Sequence, residues 1–284
     1  MNILLAGASG FIGRHTLPLL LAQGHHVSAV SRRHGADFRQ MTRPADWLPW
    51  LAGVDAVINC VGIISESRGQ RFDILHRAAP VALFQACAAQ GIRRVIQISA
   101  LGADDTGFSA YHRSKRAADR ALQALDLDWL ILRPSLIYGP GGGSAEFLLR
   151  LARLPRLPVI GDGGQGLQPI HISDVCAAIL TALHTEKTRQ CIDIVGEEEV
   201  SFADWLRCLR AAQGLPPTAL LRIPPRLALF ASYLLGPCQP LCQTETLRML
   251  QHAYQADPRP CRNWLGRSLL NYAPAQLFSA QGGQ

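Results

Sequence analysis

The chain has 284 residues, of which 48% are hydrophobic and 17% charged, with a formal net charge of +7. These totals are typical of a globular protein that can bury a substantial core. Lys and Arg occur in ones and twos without a basic block, which argues against nucleic-acid binding. The positive excess suits an anionic small molecule or an anionic membrane surface.

The longest uncharged apolar run, residues 227–237, has about half the length that a bilayer span requires, so no membrane span is predicted. Eight cysteines lie mostly in apolar runs, and three residues separate the closest pair, Cys238 and Cys242, where zinc knuckles have two. We expect reduced thiols, no metal site, no secretory signal and a cytoplasmic location.

The first half of the chain alternates short β-branched runs with longer helical patterns, which predicts βαβ units and a parallel sheet. Strands are expected near 2–6, 26–30, 54–60, 93–99 and 128–133. Helices are expected near 11–23, 44–52, 71–90 and 110–125. The predicted fold class is therefore α/β, a doubly wound parallel Rossmann sheet with a smaller C-terminal lobe.

Beyond residue 138 Pro and Gly become frequent and the alternation weakens. This change predicts a dinucleotide-binding domain over 1–138 and a smaller lobe over 139–284, with the chain interleaved between the two. Strands are expected near 158–160 and 191–195, and helices near 145–153, 173–184, 202–212, 226–235 and 244–253. The tail after Asp257 is expected to be irregular.

A glycine motif, "GASGFIG", directly follows the first strand and opens the first helix. Glycines at 7, 10 and 13 allow a tight turn and a close backbone approach to a pyrophosphate at the helix N-terminus. Because the strand and the helix flank the motif as this function requires, we interpret it as a dinucleotide-binding loop. The alternative is a glycine turn without a ligand.

The end of the second strand indicates which dinucleotide binds. Ser31 stands where an NAD-binding protein carries an acid, and Arg32 and Arg33 follow it. Guanidinium groups bind a ribose 2′-phosphate, so the sequence favours NADP(H) over NAD(H). The alternative is a solvated pair of loop arginines.

Tyr111 and Lys115 lie four residues apart on one face of a predicted helix, and Ser99 ends the strand before it. An ammonium group near a phenol lowers the pKa of the phenol, which allows Tyr111 to act as the general acid–base of a carbonyl–alcohol reaction. Ser99 is then expected to bond the substrate oxygen. The alternative is a half-exposed helix with a snorkelling lysine.

Six segments together resemble the short-chain dehydrogenase/reductase superfamily: "GASGFIG", "INCVG", "ISALGA", "YHRSK", "RPSLIYGPGG" and "GDGGQGLQPIHISDV". The last segment resembles the extended, epimerase-like branch. The short gap between Ser99 and Tyr111, with "SALGA", is most similar to the atypical group that includes the nucleotide-binding accessory subunit of respiratory complex I.

This resemblance implies a dinucleotide held by three segments. They are the glycine loop (Gly7, Ser9, Gly10, Phe11, Ile12 and Gly13), a segment behind the adenosine (Cys60, Val61 and Gly62) and a segment near the nicotinamide (Pro134 and Leu136). Ser31, Arg32 and Arg33 and the Tyr111–Lys115 pair, considered above, complete the predicted cofactor contacts.

Four further residues are candidates for the substrate pocket. Ile63, Ile64 and Tyr138 follow strand ends on the expected site side, and the alternative for them is packing at the interface between the lobes. His171 precedes a predicted helix whose first turn holds Asp174. A structural role is favoured for Asp174. The apolar stretch 227–235, flanked by arginines, is lobe core, a partner surface or an interfacial membrane helix.

The leading functional prediction is an NADP(H)-dependent oxidoreductase acting on a carbonyl or alcohol of a small molecule. One alternative is a sugar-nucleotide epimerase or dehydratase with a retained cofactor. Another is a non-catalytic nucleotide-binding assembly or redox-sensing protein.

Overall fold

The computed structural model describes residues 1–235, 244–252, 254–272 and 277. Cys238 and Cys242 lie outside this range; the other six cysteines are free thiols. Among the described residues, no helix combines the length and the apolarity that crossing a membrane requires.

The described strands, in chain order, are as follows: β1 (Asn2–Ala6), β2 (His26–Val30), β3 (Ala56–Asn59), β4 (Arg94–Ile98), β5 (Asp128–Pro134), β6 (Ile137–Tyr138), β7 (Leu157–Ile160), β8 (Gly166–Leu167), β9 (Ile170–His171), β10 (Gln190–Ile194), β11 (Val200–Ser201) and β12 (Leu220–Ile223).

The described α-helices are α1 (Phe11–Ala22), α2 (Pro44–Leu51), α3 (Ala79–Ala89), α4 (Ala110–Gln123), α5 (Gly143–Ala152), α6 (Ile172–His184), α7 (Phe202–Ala211), α8 (Pro225–Leu235), α9 (Thr244–Gln251) and α10 (Pro258–Leu265). A 3₁₀ turn at Arg32–His34 and a π-helical turn at Asp73–Ala78 complete the set.

Six parallel strands form the central sheet in the order β10-β5-β4-β3-β1-β2. Side chains alternate between its faces, so in β1 Leu4 packs with α2, α3 and α4, whereas Ile3 and Leu5 pack with α1, α6 and α10. Helices thus cover both faces, which explains the continuous apolar runs of the strands. This arrangement confirms the predicted α/β doubly wound class.

The chain leaves the sheet after β5 and later returns to it. The strand predicted near 191–195 is β10, which pairs in parallel with β5, and α6 packs on the sheet beside α1. Helix α5, which lies between β5 and β10, and helix α7, which follows β10, form a separate apolar core with β7, here named the second core, centred on Trp205 and Leu206. Two segments from beyond residue 138 therefore complete the sheet layer.

Five short strands (β6, β8, β9, β11 and β12) were not predicted, and two helical segments differ from the sequence-based expectations. The tail after Asp257 contains α10 where irregular structure was expected: the Asp257 carboxylate caps the helix at the Arg259 amide, Pro258 starts it, and Gly266 ends it with φ +65°. The expected helix 71–90 is a π-helical turn followed by α3, because Pro80 has no N–H to donate to the carbonyl four residues earlier.

A buried carboxylate joins α4 to the sheet. Asp119 is 1% exposed; it accepts a hydrogen bond from Ser99 Oγ (2.6 Å) and lies 3.7 Å from Arg133 Nε. Burial raises the pKa of Asp119 to about 6, against the opposing effects of Ser99, Arg133 and Lys115. Between about pH 4 and pH 6, part of the folded population therefore holds a proton on Asp119 that the unfolded chain has already released.

We predict that Asp119→Asn removes a pH dependence of stability. Because the folded pKa lies above the unfolded value, wild type loses stability from this group as the pH rises from about 4 to about 6. The wild-type advantage in unfolding free energy over D119N should thus fall by about 2 kcal/mol across this window, measured by urea denaturation at each pH.

Asp73→Asn is the matched control, because the exposed Arg77 partner lowers the pKa of Asp73. The difference in unfolding free energy between wild type and D73N should be small, and it should rise rather than fall as the pH increases. A D119N difference that stays constant from pH 4 to pH 6 would contradict the buried-charge account.

Candidate active site

The glycine loop between β1 and α1 is closed by backbone packing. Gly7 has φ +80°, and a Cβ built there would stand 2.9 Å from the Cys60 carbonyl carbon. A Cβ on Gly13 would stand 2.3 Å from the Gly7 oxygen. Neither position has room for a side chain, so the loop and the segment after β3 lie in direct contact.

The N-terminus of α1 has the features of a phosphate site. Gly10 caps the helix without a side-chain hydrogen bond, and the first turn carries no acidic residue. The first amides of a helix have no intrahelical acceptor, and its dipole favours an anion there. The sequence-predicted residues Ser9, Phe11 and Ile12 lie in this loop and first turn. The loop therefore fits a dinucleotide pyrophosphate.

The chain turns tightly at the end of β2. Ser31 is 2% exposed, with its hydroxyl 2.8 Å from His34 Nδ1, whereas Arg32 and Arg33 are exposed in the 3₁₀ turn. The next carboxylate along the chain, Asp37, binds Arg39 through Nε (2.9 Å) and Nη2 (2.7 Å). The turn thus presents two guanidinium groups and a carboxylate that is already paired.

Helix α4 carries the Tyr111–Lys115 pair. The Ser109 hydroxyl caps the helix at the His112 amide. Lys115 is 4% exposed, and its ammonium donates to the carbonyl oxygens of Val61 (3.2 Å) and Ile98 (2.9 Å). The same ammonium lies 3.1 Å from the Cβ position of Gly62. The lysine therefore joins α4 to the ends of β3 and β4.

The pKa of Tyr111 is shifted in the direction opposite to the sequence-based expectation. Burial raises it to about 12, with a further contribution from the Asp119 charge. Desolvation outweighs any effect of the Lys115 ammonium, which is directed to two backbone carbonyls and whose own pKa burial lowers to about 8. In this state Tyr111 is a protonated phenol at neutral pH.

His76, in the π-helical turn, was missed by sequence reasoning. Its Nε2 accepts the Ile63 amide (2.9 Å), so Nδ1 carries the proton and donates to Ser114 Oγ (3.0 Å). Ser114 Oγ in turn donates to the Tyr111 carbonyl (2.7 Å). Burial lowers the pKa of His76 well below its usual value. A neutral histidine therefore positions the first turn of α4 against the loop after β3.

An apolar cavity of about 700 Å³ opens beside Tyr111 at the carboxyl edge of the sheet. Its walls come from the ends of β4 and β5, from α5, β7 and β12, and from the α8–α9 pair. Pro134, Leu136 and Ile64 line it, as does Leu101. Arg222 is the one lining side chain in the described part of the chain that bears a formal charge at neutral pH.

Four of the residues predicted to contact the substrate lie outside the cavity lining. The Ser99 hydroxyl donates to Asp119, so it is already engaged in the buried ion pair. Ile63 packs with the α3 side of the core. Tyr138 packs edge-on to Trp205 in the second core, and His171 caps α6 through Nδ1.

The buried carboxylate of Asp174 accepts hydrogen bonds from Arg267 (2.5 Å) and from the Leu270 amide (2.9 Å). Asp174 thus connects α6 to the segment after α10. These contacts support the structural role that was favoured for Asp174.

Two further cavity residues, His112 and Tyr254, have no motif that signals them. Their rings lie 4.5 Å apart, and Tyr254 covers Gly102, which leaves no room for a Cβ there. Burial lowers the pKa of His112 to about 4. Both rings therefore face the cavity as neutral groups next to Tyr111.

Curated proteins of similar sequence include reductases. A protein of Caulobacter vibrioides named ceramide reductase is 29% identical over 265 residues, which cover 86% of this chain and 80% of that protein. Subunit 9 of the NADH dehydrogenase [ubiquinone] 1 alpha subcomplex of Arabidopsis thaliana is 32% identical over 195 residues. That match covers 62% of this chain and 48% of the subunit.

Solved structures share the fold at low sequence identity. The human epimerase family protein SDR39U1 with NADPH has a TM-score of 0.74 at 20% identity and covers 97% of each chain. MoeE5 in complex with UDP-glucuronic acid and NAD has a TM-score of 0.72 at 23% identity, over 95% of this chain and 94% of MoeE5.

The family model of the NAD dependent epimerase/dehydratase family matches residues 3–194, which span the glycine loop, the Tyr111–Lys115 pair and the whole central sheet. The match covers more than half of the chain and includes Val61 and Ile98, whose carbonyl oxygens accept from Lys115. This chain is therefore a member of the NAD dependent epimerase/dehydratase family and an enzyme of the NAD(P)-dependent oxidoreductase type.

Proposed function

We propose that this protein is an NADP(H)-dependent reductase that acts on the carbonyl group of an apolar small molecule. One observation carries the proposal: Tyr111 stands in the wall of an apolar cavity, one helical turn before a lysine that contacts the segment packed against the glycine loop. This juxtaposition puts a proton donor, a cofactor-binding loop and a substrate-sized space at one edge of the sheet.

Tyr111 is the proposed proton donor. Because burial keeps its phenol protonated at neutral pH, Tyr111 can give its proton to a substrate oxygen on which negative charge develops. The bound dinucleotide would supply the hydride. A protonated phenol can therefore act as the general acid when a carbonyl becomes an alcohol.

Lys115 and His76 hold Tyr111 in position. The ammonium of Lys115 can bond a ribose hydroxyl as well as the two carbonyls that it already meets. The His76–Ser114 chain of hydrogen bonds fixes the backbone of Tyr111 itself. The hydrogen bonds of Lys115 and those of the His76–Ser114 chain keep the Tyr111 phenol at the cavity wall. Neither Lys115 nor His76 transfers a proton in this proposal; both are positioning residues.

The substrate is proposed to be apolar because of the cavity lining. A sugar nucleotide brings a diphosphate and many hydroxyl groups, which require several charged or polar partners when buried. Arg222 is the single formally charged side chain among the described lining residues, and aliphatic groups dominate the rest. The lining thus supports a reductase over the epimerase alternative, and the name of the Caulobacter relative, ceramide reductase, agrees with an apolar substrate.

NADP(H) is the proposed cofactor because Arg32 and Arg33 are exposed directly after β2. Asp37, the first acid after them, is paired with Arg39 and is thereby less able to accept from a ribose 2′-hydroxyl. Two free guanidinium groups are suited to a 2′-phosphate.

Tyr111→Phe should reduce turnover at least about 100-fold, because general acid catalysis commonly contributes that much. The assay follows NADPH oxidation with a series of alkyl aldehydes and ketones of increasing chain length. NADPH affinity, measured by calorimetry, should not change, since the phenyl ring and α4 remain in place.

Tyr254→Phe is the matched control, because it removes a second cavity hydroxyl, 3.5 Å from His112 Nδ1, and keeps the ring. Most activity should survive in Y254F. If Y111F turns over like wild type, Tyr111 is not the proton donor; if wild type binds NADPH and reduces none of the series, the non-catalytic alternative gains support.

Arg32→Ala and Arg33→Ala should each weaken NADPH binding by about tenfold or more, since each loses a charge-assisted hydrogen bond. NADH binding should stay nearly constant. Arg43→Ala is the control, an exposed arginine whose partner is Asp46. Equal losses for NADPH and NADH, or equal wild-type affinities, would refute the 2′-phosphate assignment.

A further inference from the structure

The cavity opens to solvent at an exposed apolar surface, here named the rim patch, formed by Leu221, Leu227 and Phe230. These side chains are 45%, 55% and 62% exposed. Leu221 and Leu227 also line the cavity, whereas Phe230 lies one turn further along α8. The apolar lining of the cavity is thus continuous with the exposed rim patch through the side chains of Leu221 and Leu227.

The rim patch is flanked by positive charge. Arg222 and Arg226 are exposed, and neither takes part in an ion pair within the ranges that the structure describes. No acidic residue occurs in the sequence between Asp204 and Glu245. Exposed apolar side chains with unpaired arginines beside them combine the two attractions that hold a protein at an anionic membrane surface.

We propose that the rim patch docks on the headgroup layer of an anionic phospholipid bilayer. Leu227 and Phe230 enter the boundary of the acyl chains, while Arg222 and Arg226 bind lipid phosphates. The cavity mouth then faces the bilayer, and an apolar substrate passes into the cavity without crossing water. That passage rests on the proposed function, whereas the docking does not.

Charge favours a membrane over a second copy of this chain as the occupant. A symmetric dimer would bring the same patch of both copies together and place Arg226 near its own equivalent. Like charges at such an interface oppose association. A second copy would also close the cavity mouth, whereas a bilayer is a source of apolar molecules.

The experiment is flotation of the full chain with two kinds of vesicle, phosphatidylcholine alone and phosphatidylcholine mixed with phosphatidylglycerol. Wild type should float with the anionic vesicles and remain unbound with the neutral ones. Binding should weaken as salt is added, because the phosphate contacts are screened.

Two variants test the patch without altering the cavity lining. Arg226→Gln should weaken the partition constant on anionic vesicles about fivefold, and Phe230→Ser about tenfold. Leu21→Ser and Lys187→Gln are the matched controls: Leu21 is 54% exposed on α1, and Lys187 is exposed after α6. Neither control should change binding.

Three results would overturn the proposal: no binding to either vesicle, equal binding to both, or R226Q and F230S that bind like wild type. A dimer in sedimentation velocity that F230S disrupts, without vesicle binding, would assign the patch to a second copy instead. Y111F should float like wild type, so the loss of turnover and the loss of docking are separate outcomes.

Discussion

The site depends on where the Lys115 ammonium is held. It is buried, and its hydrogen bonds to the Val61 and Ile98 carbonyls join the ends of two neighbouring strands to one helix. An unpaired ammonium at this depth is strongly unfavourable, so the three segments are held together by the need to satisfy the charge. The position of Tyr111, four residues earlier on the same helix, follows from that requirement.

The site also places contrasting environments next to each other. The glycine loop and the arginines after β2 offer amides and positive charge, whereas the cavity beyond Tyr111 is lined mainly by apolar side chains. The sheet supplies the polar side through its strand ends, and the second core around Trp205 supports the apolar side. Under the proposed function, a reacting group would therefore lie beside Tyr111, between a polar region that fits a dinucleotide and an apolar cavity.

Sequence patterns predicted the sheet, the glycine loop and the Tyr111–Lys115 helix because these depend on local spacing. They did not predict that Ser99 bonds Asp119, or that His76 reaches Ser114, since those contacts join residues 20 and 38 positions apart. The helix at Pro258–Leu265 was missed although Asp257, Pro258 and Gly266 mark its ends. Burial around Tyr111, which decides the direction of its pKa shift, is set by packing across the fold.

The π-helical turn at Asp73–Ala78 restricts how the length of this segment can change. A π turn accommodates one residue more than an α turn, and each residue rotates a helix by about 100°. Within the turn Asp73 faces solvent beside Arg77, while His76 is buried. Deletion of one residue would restore regular α geometry and rotate His76 away from Ser114, so this segment should accept substitutions during evolution more readily than insertions or deletions.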